Sequence, residues 1–427
     1  MVIGKSLDKG SLSNREVINL STQALSDIDF KDKRVLVVIP DHTRTAPVNL
    51  FFKIIFDNLG KKVKKLDFLV ALGTHPPMKK EQILKLVGIS EKEKEKKYKS
   101  VGFFNHEWDN PNSLTSIGVI PENKIEEITK GLLKESVEVQ INKMILGYDF
   151  LIIVGPVFPH EVVGFSGGNK YFFPGIAGPE VLHFFHWLGA LITNPEINGT
   201  KDTPVREVIN IASSLIETPK LCFSFVIKDK KLSGLFIGKP EEAWAKAADL
   251  SSKLNIIYKE KSFKKVLGIA PKMYDDLWTA GKVMYKLENI VEDGGELIIY
   301  APHITEVSYT HGKIIDKVGY HVRDYFLKQA NKFSWVPGGI KAHSTHVKGI
   351  GTYENGIEKP RINVFLATKI PEERCKKINL EYKDYKSINL SDWENKEDKG
   401  ILLVPNAGET LFRLKNKKMS EVESERK

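Results

Sequence analysis

Three side chains in one stretch, Pro159 to Trp187, have the chemistry of a site: His160, Lys170 and His186. Around them lie two glycine-rich turns, Gly164–Gly168 and Gly175–Gly178. Such turns let backbone N–H groups approach a phosphate, and Gly167 and Gly168 sit two to three residues before the lysine. The alternative is a tight loop with one lysine in solvent. Two further polar clusters, Asp41–Arg44 (DHTR) and Gly73–His75 (GTH), each follow an apolar run, as His160 does. Histidines arriving from different strand ends suit paired acid/base work near neutral pH. Arg44 offers a planar fork for a carboxylate or phosphate. Lys170, followed by Tyr171 and Phe172, suits covalent attachment if they desolvate it. His183 and His186, one helical turn apart, suit a shared metal ion or an ordinary aromatic helix face.

Later in the chain, a helix predicted over Asp275–Glu292 carries Trp278, Thr279 and Lys282, and Trp278 and Lys282, four apart, share one face able to hold a substrate anion. The alternative is an ordinary amphipathic helix, with Leu277, Val283 and Met284 on its apolar side. A second cluster, Trp335 to His346 (WVPGGIKAHSTH), reads as a polar loop able to line a pocket through Trp335, His343 and His346, or through the two histidines as a second metal pair.

The elements that must place these residues follow a strand–helix alternation. RVLVVI (34–39), LDFLVAL (66–72) and the run at 149–154 read as buried parallel strands, with helices at 48–59 and 80–87 between them. Residues 103–111 read as loop, and the segment before 149 as charged and helix-prone. LCFSFVIKDKKLSGLFIG reads as a hairpin. A second series begins near Lys264, with strands at KKVLGIA, GGELIIYAP, INVFLAT and ILLVPN and a helix over 313–329. The expected fold class is α/β: two α/β domains with mainly parallel sheets and an active-site cleft between them. The expected boundaries are 1–262 for a cofactor-binding catalytic domain and 263–407 for a second α/β domain, with 408–427 packing back on the first.

At 427 residues the chain exceeds one core. Its 41% hydrophobic and 28% charged content is that of an ordinary globular protein. The net charge of +10 resides largely in lysine runs mixed with acidic residues and without interleaved aromatics, which argues against a nucleic-acid partner. No run nears the roughly 18 apolar residues of a membrane span. Two distant cysteines, Cys222 and Cys375, and no leader-like N-terminus give the expectation of a cytoplasmic protein.

Taken in order, DHTR, GTHPPM (73–78), PHEVVGFSGGNKYFFPGIAG (159–178), His186 and TPVRE (203–207) resemble the nickel-dependent lactate racemase family. The resemblance covers the first domain and continues at the helix with Lys282. It implies a nickel pincer nucleotide, a pyridinium mononucleotide with two sulfur-bearing arms, joined covalently to Lys170. It implies His186 as nickel ligand and His75 and His160 as the catalytic pair. Arg44 and Lys282 fall on substrate-binding positions. Asp41, Thr43, Gly167 and Gly168 fall against the nucleotide. The implied partners are a small 2-hydroxy acid and the proteins that build the cofactor, with no nucleic acid and no membrane.

The chain departs from the lactate enzymes at three places. Trp278–Thr279 stands where a Tyr-Gln pair is usual, Phe185 stands where Asn is usual, and Trp335–Gly351 resembles the branch acting on sugar acids such as gluconate. A loop with Lys341, His343, Ser344, Thr345 and His346 suits a polyhydroxylated chain, because each buried substrate hydroxyl needs a partner. The favoured expectation is therefore epimerisation of an aldonic acid, with a short-chain 2-hydroxy acid such as lactate as the alternative. A non-catalytic nucleotide-binding protein is the reading from another class.

Overall fold

The computed structural model describes residues 1–415, which divide into two compact units. The first comprises Met1–Phe158, Ser166–Leu182 and Arg206–Leu254. The second comprises Pro159–Phe165, His183–Val205 and the chain from Asn255 on. This differs from the expected single boundary near 262. The chain passes to the second unit at Asn255, and two earlier segments already belong there. Hydrogen bonds explain the second of these. Asn194 Nδ2 donates to Glu288 Oε2 at 2.8 Å, and Arg323 donates to Leu191 O at 2.7 Å. The strand Leu411–Leu414 pairs with Ile256–Lys259 inside the second unit rather than returning to the first. The rest of the expected tail, residues 416–427, lies outside the described residues.

In the first unit, seven strands run in the order Ile3–Ser6, Lys231–Gly238, Lys220–Lys228, Phe150–Pro156, Arg34–Pro40, Lys65–Ala71 and Gly102–Asn105. The five from Lys220–Lys228 to Gly102–Asn105 are parallel, and the first two pair antiparallel. Val35 to Ile39 are at most 1% exposed, as a strand covered on both faces requires. The helix Val48–Leu59 places Phe51, Phe52 and Ile55 on the sheet, and Phe51 stacks on Phe225 with centroids 4.8 Å apart. Successive strands step outward from Arg34–Pro40 in one direction and then, from Phe150–Pro156, in the other. That reversal puts a topological switch point at the carboxyl ends of these two strands, where open α/β sheets take ligands.

In the second unit the strands Glu381–Tyr382, Asn363–Thr368, Val291–Ala301, Phe263–Ile269 and Ile401–Val404 form one parallel sheet. Both sheets are the expected α/β type.

Local corrections have identifiable causes. The helix expected over 275–292 is two short helices, Leu277–Ala280 and Lys282–Leu287, meeting at Gly281 and followed by a strand from Val291. The one expected over 313–329 breaks at Gly319, whose φ is +79°. The expected polar loop becomes, from Gly338 to Lys348, an α-helix begun by Pro337. Residues 102–105 pair as an edge strand, since their backbone completes the ladder beside Lys65–Ala71. The charged segment before 149 contains an antiparallel pair, Leu114–Ile120 with Val137–Asn142.

Candidate active site

At the switch point of the first unit, the strand Arg34–Pro40 delivers Asp41. Its Oδ1 accepts the Thr43 amide at 3.0 Å and the Thr43 hydroxyl at 2.8 Å. Its Oδ2 meets His75 Nδ1 at 2.5 Å. A carboxylate only accepts, so the His75 Nδ1 carries a proton, and in the neutral ring the lone pair is on Nε2. This is the arrangement of a general base with an orienting carboxylate. Arg44 lies in the same turn, and its charge and that of Asp41 are both felt by Tyr171, one residue beyond Lys170. The turns carrying His75 and Lys170 are also tied together, because Gly73 N–H donates to Gly175 O at 2.9 Å.

Lys170, half-buried, stands on the tight turn Gly168–Tyr171. Gly167 and Gly168 precede it at φ +84° and +59°, a region that favours glycine. A Cβ on Gly168 would stand 2.9 Å from the Trp244 side chain, so glycine is required by packing as well. Asn169 fixes the turn from below. Its Nδ2 donates to Asn210 Oδ1 at 3.1 Å and to Glu241 Oε1 at 2.5 Å, and its Oδ1 accepts Ser213 Oγ at 2.9 Å. Buried Arg206 donates to Gly167 O at 3.2 Å and lies 4.1 Å over the Trp244 ring, whose Nε1 donates to Ser166 O at 2.9 Å. Burial pulls the Arg206 guanidinium down to about 9. Further along, buried His106 bridges Ala177 O at 3.0 Å and the Asn142 amide at 3.2 Å.

The second unit holds the other expected residues. His160 is 5% exposed, and its Nδ1 accepts the Val162 amide at 3.1 Å. His186 is half-buried on the helix Pro179–Ile192. The Nδ1 of its neighbour His183 accepts the Gly339 amide at 3.3 Å, so that nitrogen serves the fold and is not aimed at a shared ion. Thr279 is similarly committed: its amide and hydroxyl both donate to Asp276 Oδ1 at 3.0 Å, capping the short helix. The Trp278 ring lies between His343, stacked at 4.0 Å, and His311 at 4.4 Å. His343 Nε2 donates to Trp278 O at 3.1 Å. The His343 Nδ1 and the His346 Nε2 are buried and have no hydrogen-bond partner among the described residues. Burial pushes these imidazoles down to about 3 and about 4, which keeps both neutral. Lys282 is buried with its Nζ 4.7 Å over the Tyr274 ring. Trp335 stands apart from the others at 55% exposure.

The structure thus gathers Asp41, Thr43, Arg44, His75, Gly167, Gly168 and Lys170 at one edge of the first unit. The second unit carries His160, His186, Trp278, Thr279, Lys282, His343 and His346. Sequence reasoning missed Asn169, Arg206, Trp244 and His106 as supporting residues. Arg206 lies inside the TPVRE motif, but no spacing pattern links it to a turn nearly forty residues earlier.

Residues 15–198 match the lactate racemase N-terminal domain. A lactate racemase of Thermoanaerobacterium thermosaccharolyticum is 23% identical over 287 residues, 66% of this chain and 63% of that one. A lactate racemase of Lactiplantibacillus plantarum is 25% identical over 260 residues, 58% of this chain and 56% of that one. The matched stretch spans less than two thirds of either relative. Among solved structures, a Thermotoga maritima protein is 33% identical with a TM-score of 0.88, covering 96% of this chain and all of that one. The lactate racemase apoprotein of T. thermosaccharolyticum has a TM-score of 0.71 at 19% identity, covering 96% of this chain and 94% of that one, a likeness of fold. Among the described residues no helix is long and apolar enough to cross a membrane.

Proposed function

We propose that this chain, whose matches support the lactate racemase family, is an isomerase inverting the 2-carbon of a 2-hydroxy acid, with an aldonic acid as favoured substrate. The observation that carries the reading is the His75–Asp41 pair at 2.5 Å, on the same sheet edge as the turn bearing Lys170. A base oriented by a carboxylate is what removal of a hydroxyl proton needs.

The residues present fit a nickel pincer nucleotide. Lys170 offers a half-buried amine for an acyl link, the buried Gly167–Gly168 turn fixes the backbone that carries it, and His186 offers an imidazole nitrogen to a borderline-soft metal. When bound, the group would supply a reversible acceptor for the substrate α-hydride. The chain's residues do the rest. His75 takes the hydroxyl proton of one epimer and His160 that of the other. Arg44 and Lys282 hold the carboxylate, and Asp41 and Thr43 fix the turn on which Arg44 stands. The buried nitrogens of His343 and His346 favour a substrate with several hydroxyls, because each hydroxyl supplies a partner that the fold leaves out. Trp278 supports the His343 ring, and Thr279 is bound to Asp276, which caps the helix that carries Trp278; exposed Trp335 is the weakest member of this set.

The second reading, a short-chain substrate, is favoured by the names of the two relatives. The test begins with intact mass and metal analysis of protein made together with the cofactor-building enzymes. The expected result is a covalent adduct and about one nickel per chain, both lost in Lys170→Ala. Inversion at the 2-carbon is then compared between aldonic acids and lactate. No adduct and no nickel, beside a control enzyme that loads, overturns the mechanism and favours a nucleotide-binding protein.

A further inference from the structure

The two histidines proposed to move protons are finished by different neighbours. His75 Nδ1 faces a carboxylate, which holds the Nδ1 proton and so places the lone pair of the neutral ring on Nε2. His160 Nδ1 accepts a backbone N–H, so in the structure its proton sits on Nε2. That neutral tautomer can neither take a proton at Nε2 nor give one up without forming an imidazolate. To take a proton at Nε2, His160 must carry its existing one at Nδ1. To give a proton from Nε2 as an imidazolium, it must carry protons on both nitrogens. Either way Nδ1 needs an acceptor, and the Val162 amide cannot be one.

The Glu161 carboxylate lies 3.6 Å from His160 Nδ1. It is held in place from the far side by Lys286, whose Nζ is 3.9 Å from the same oxygen and donates to Pro159 O at 2.7 Å. Lys286 is 2% exposed, and the Glu161 side chain 12%. Tyr285, His343 and His346 also feel the Glu161 charge, and His186 acts in turn on His346.

We propose that Glu161 is the positioning residue of His160, the counterpart of Asp41 for His75. It accepts the Nδ1 proton whenever His160 is in either of its working states. The inference rests on the function proposed above for His160. In one direction the substrate hydroxyl proton passes to Nε2 of a His160 whose Nδ1–H is turned to Glu161. In the other, Nε2–H returns its proton to the substrate oxygen while the Nδ1–H–Glu161 bond is kept. The ion pair with Lys286 competes for the same carboxylate and limits how readily His160 becomes charged.

The test reads the nitrogen chemical shifts of isotope-labelled histidine in the full chain across a pH series. In the wild type, neutral His160 is expected to carry its proton on Nε2 and to gain the second at Nδ1 as pH falls. Glu161→Gln should lower the proton affinity of His160 about ten-fold, and Glu161→Asp should restore part of it. Lys286→Met should raise it. Asp41→Asn should leave His160 unchanged and alter His75 alone. An unchanged His160 titration in Glu161→Gln and Lys286→Met overturns the pairing. Should Glu161→Gln fail to fold, Glu161→Asp and Lys286→Met carry the same decision. Inversion by loaded wild-type enzyme is scored separately: its failure overturns the proposed reaction, whereas the titration alone judges the pairing.

Discussion

The turn that bears Lys170 and the helix that bears His343 and His346 are both buried and polar, yet they are finished in opposite ways. Beneath Lys170 every Asn169 side-chain atom able to hydrogen bond has a named acceptor or donor, and Arg206 and Trp244 close the turn from two more sides. On the helix Gly338–Lys348, two imidazole nitrogens are enclosed with no partner among the described residues. A satisfied network fixes one geometry, whereas an enclosed unpaired group costs about 1–3 kcal/mol until something bonds to it. On the proposed function, the first region holds the Lys170 attachment point still. The second is built at a cost that a polar ligand would offset.

The largest effect should come from breaking the finished region. Asn169→Ala removes three hydrogen bonds at once and leaves Asn210 and Ser213 without their partner. A loss of about 2–4 kcal/mol in urea unfolding is expected, together with a lower yield of the Lys170 adduct at equal expression. A stability change below about 1 kcal/mol would mean that Arg206 and Trp244 hold the turn by themselves.

Acid should weaken both regions. Burial pushes His106 down to about 4 from the ordinary 6.5, with His343 and His346 similarly lowered. Above pH 6.5 neither folded nor unfolded chain protonates these groups. As pH falls below 6.5 the unfolded chain binds the proton first, so stability declines until each folded value is reached, about 4 for His106 and His346 and about 3 for His343, and levels off below it. Each histidine should cost about 2 kcal/mol by pH 5, read as a shift of the urea midpoint between pH 7.5 and 5. His106→Phe should flatten the part due to the first unit.

Much of this was legible beforehand, for physical reasons. Val35–Ile39 and Leu151–Val154 read as strands because sheets covered on both faces need unbroken apolar runs. His75 and His160 stood out because each closely follows such a run, and Lys170 because it follows a glycine-rich turn. What escaped was non-local. Arg206 meets Gly167 across 39 residues and His106 meets Ala177 across 71, and neither contact leaves a period in the sequence. The Trp335–His346 segment misled because its glycines and hydroxyls favour a loop, while buried Ile340 and Val347 draw it into a helix against the core. The break at Gly281 was likewise hidden, since propensity alone carries a helix through one glycine.

Filling the unfinished region gives a smaller effect. His343→Phe removes the unpaired Nδ1 together with the Nε2 bond to Trp278 O while keeping a ring to stack on Trp278. The two terms oppose each other, so stability should stay within about 1 kcal/mol of the wild type. If the nitrogen serves substrate, KM for an aldonic acid should rise about ten-fold, with lactate little affected. An equal rise for both acids would separate His343 from any choice between them.

The smallest and most diagnostic change swaps Trp278–Thr279 for Tyr-Gln. Asp276 caps this helix, and the Thr279 hydroxyl adds a second bond to its Oδ1 at 3.0 Å, so losing that hydroxyl should cost about 1 kcal/mol. The smaller phenol would also leave part of the His343 face uncovered, since Trp278 lies nearly parallel to that ring, 19° between planes. If this pair sets substrate size, activity on lactate should rise a few-fold in spite of the lost bond, because a change of about 1 kcal/mol at the substrate corresponds to about five-fold in rate. The single change Thr279→Gln isolates that bond: the same loss of stability without a gain on lactate assigns the size effect to Trp278. A folded double variant with no gain on lactate removes the pair from the specificity argument and leaves His343 and His346 to carry it.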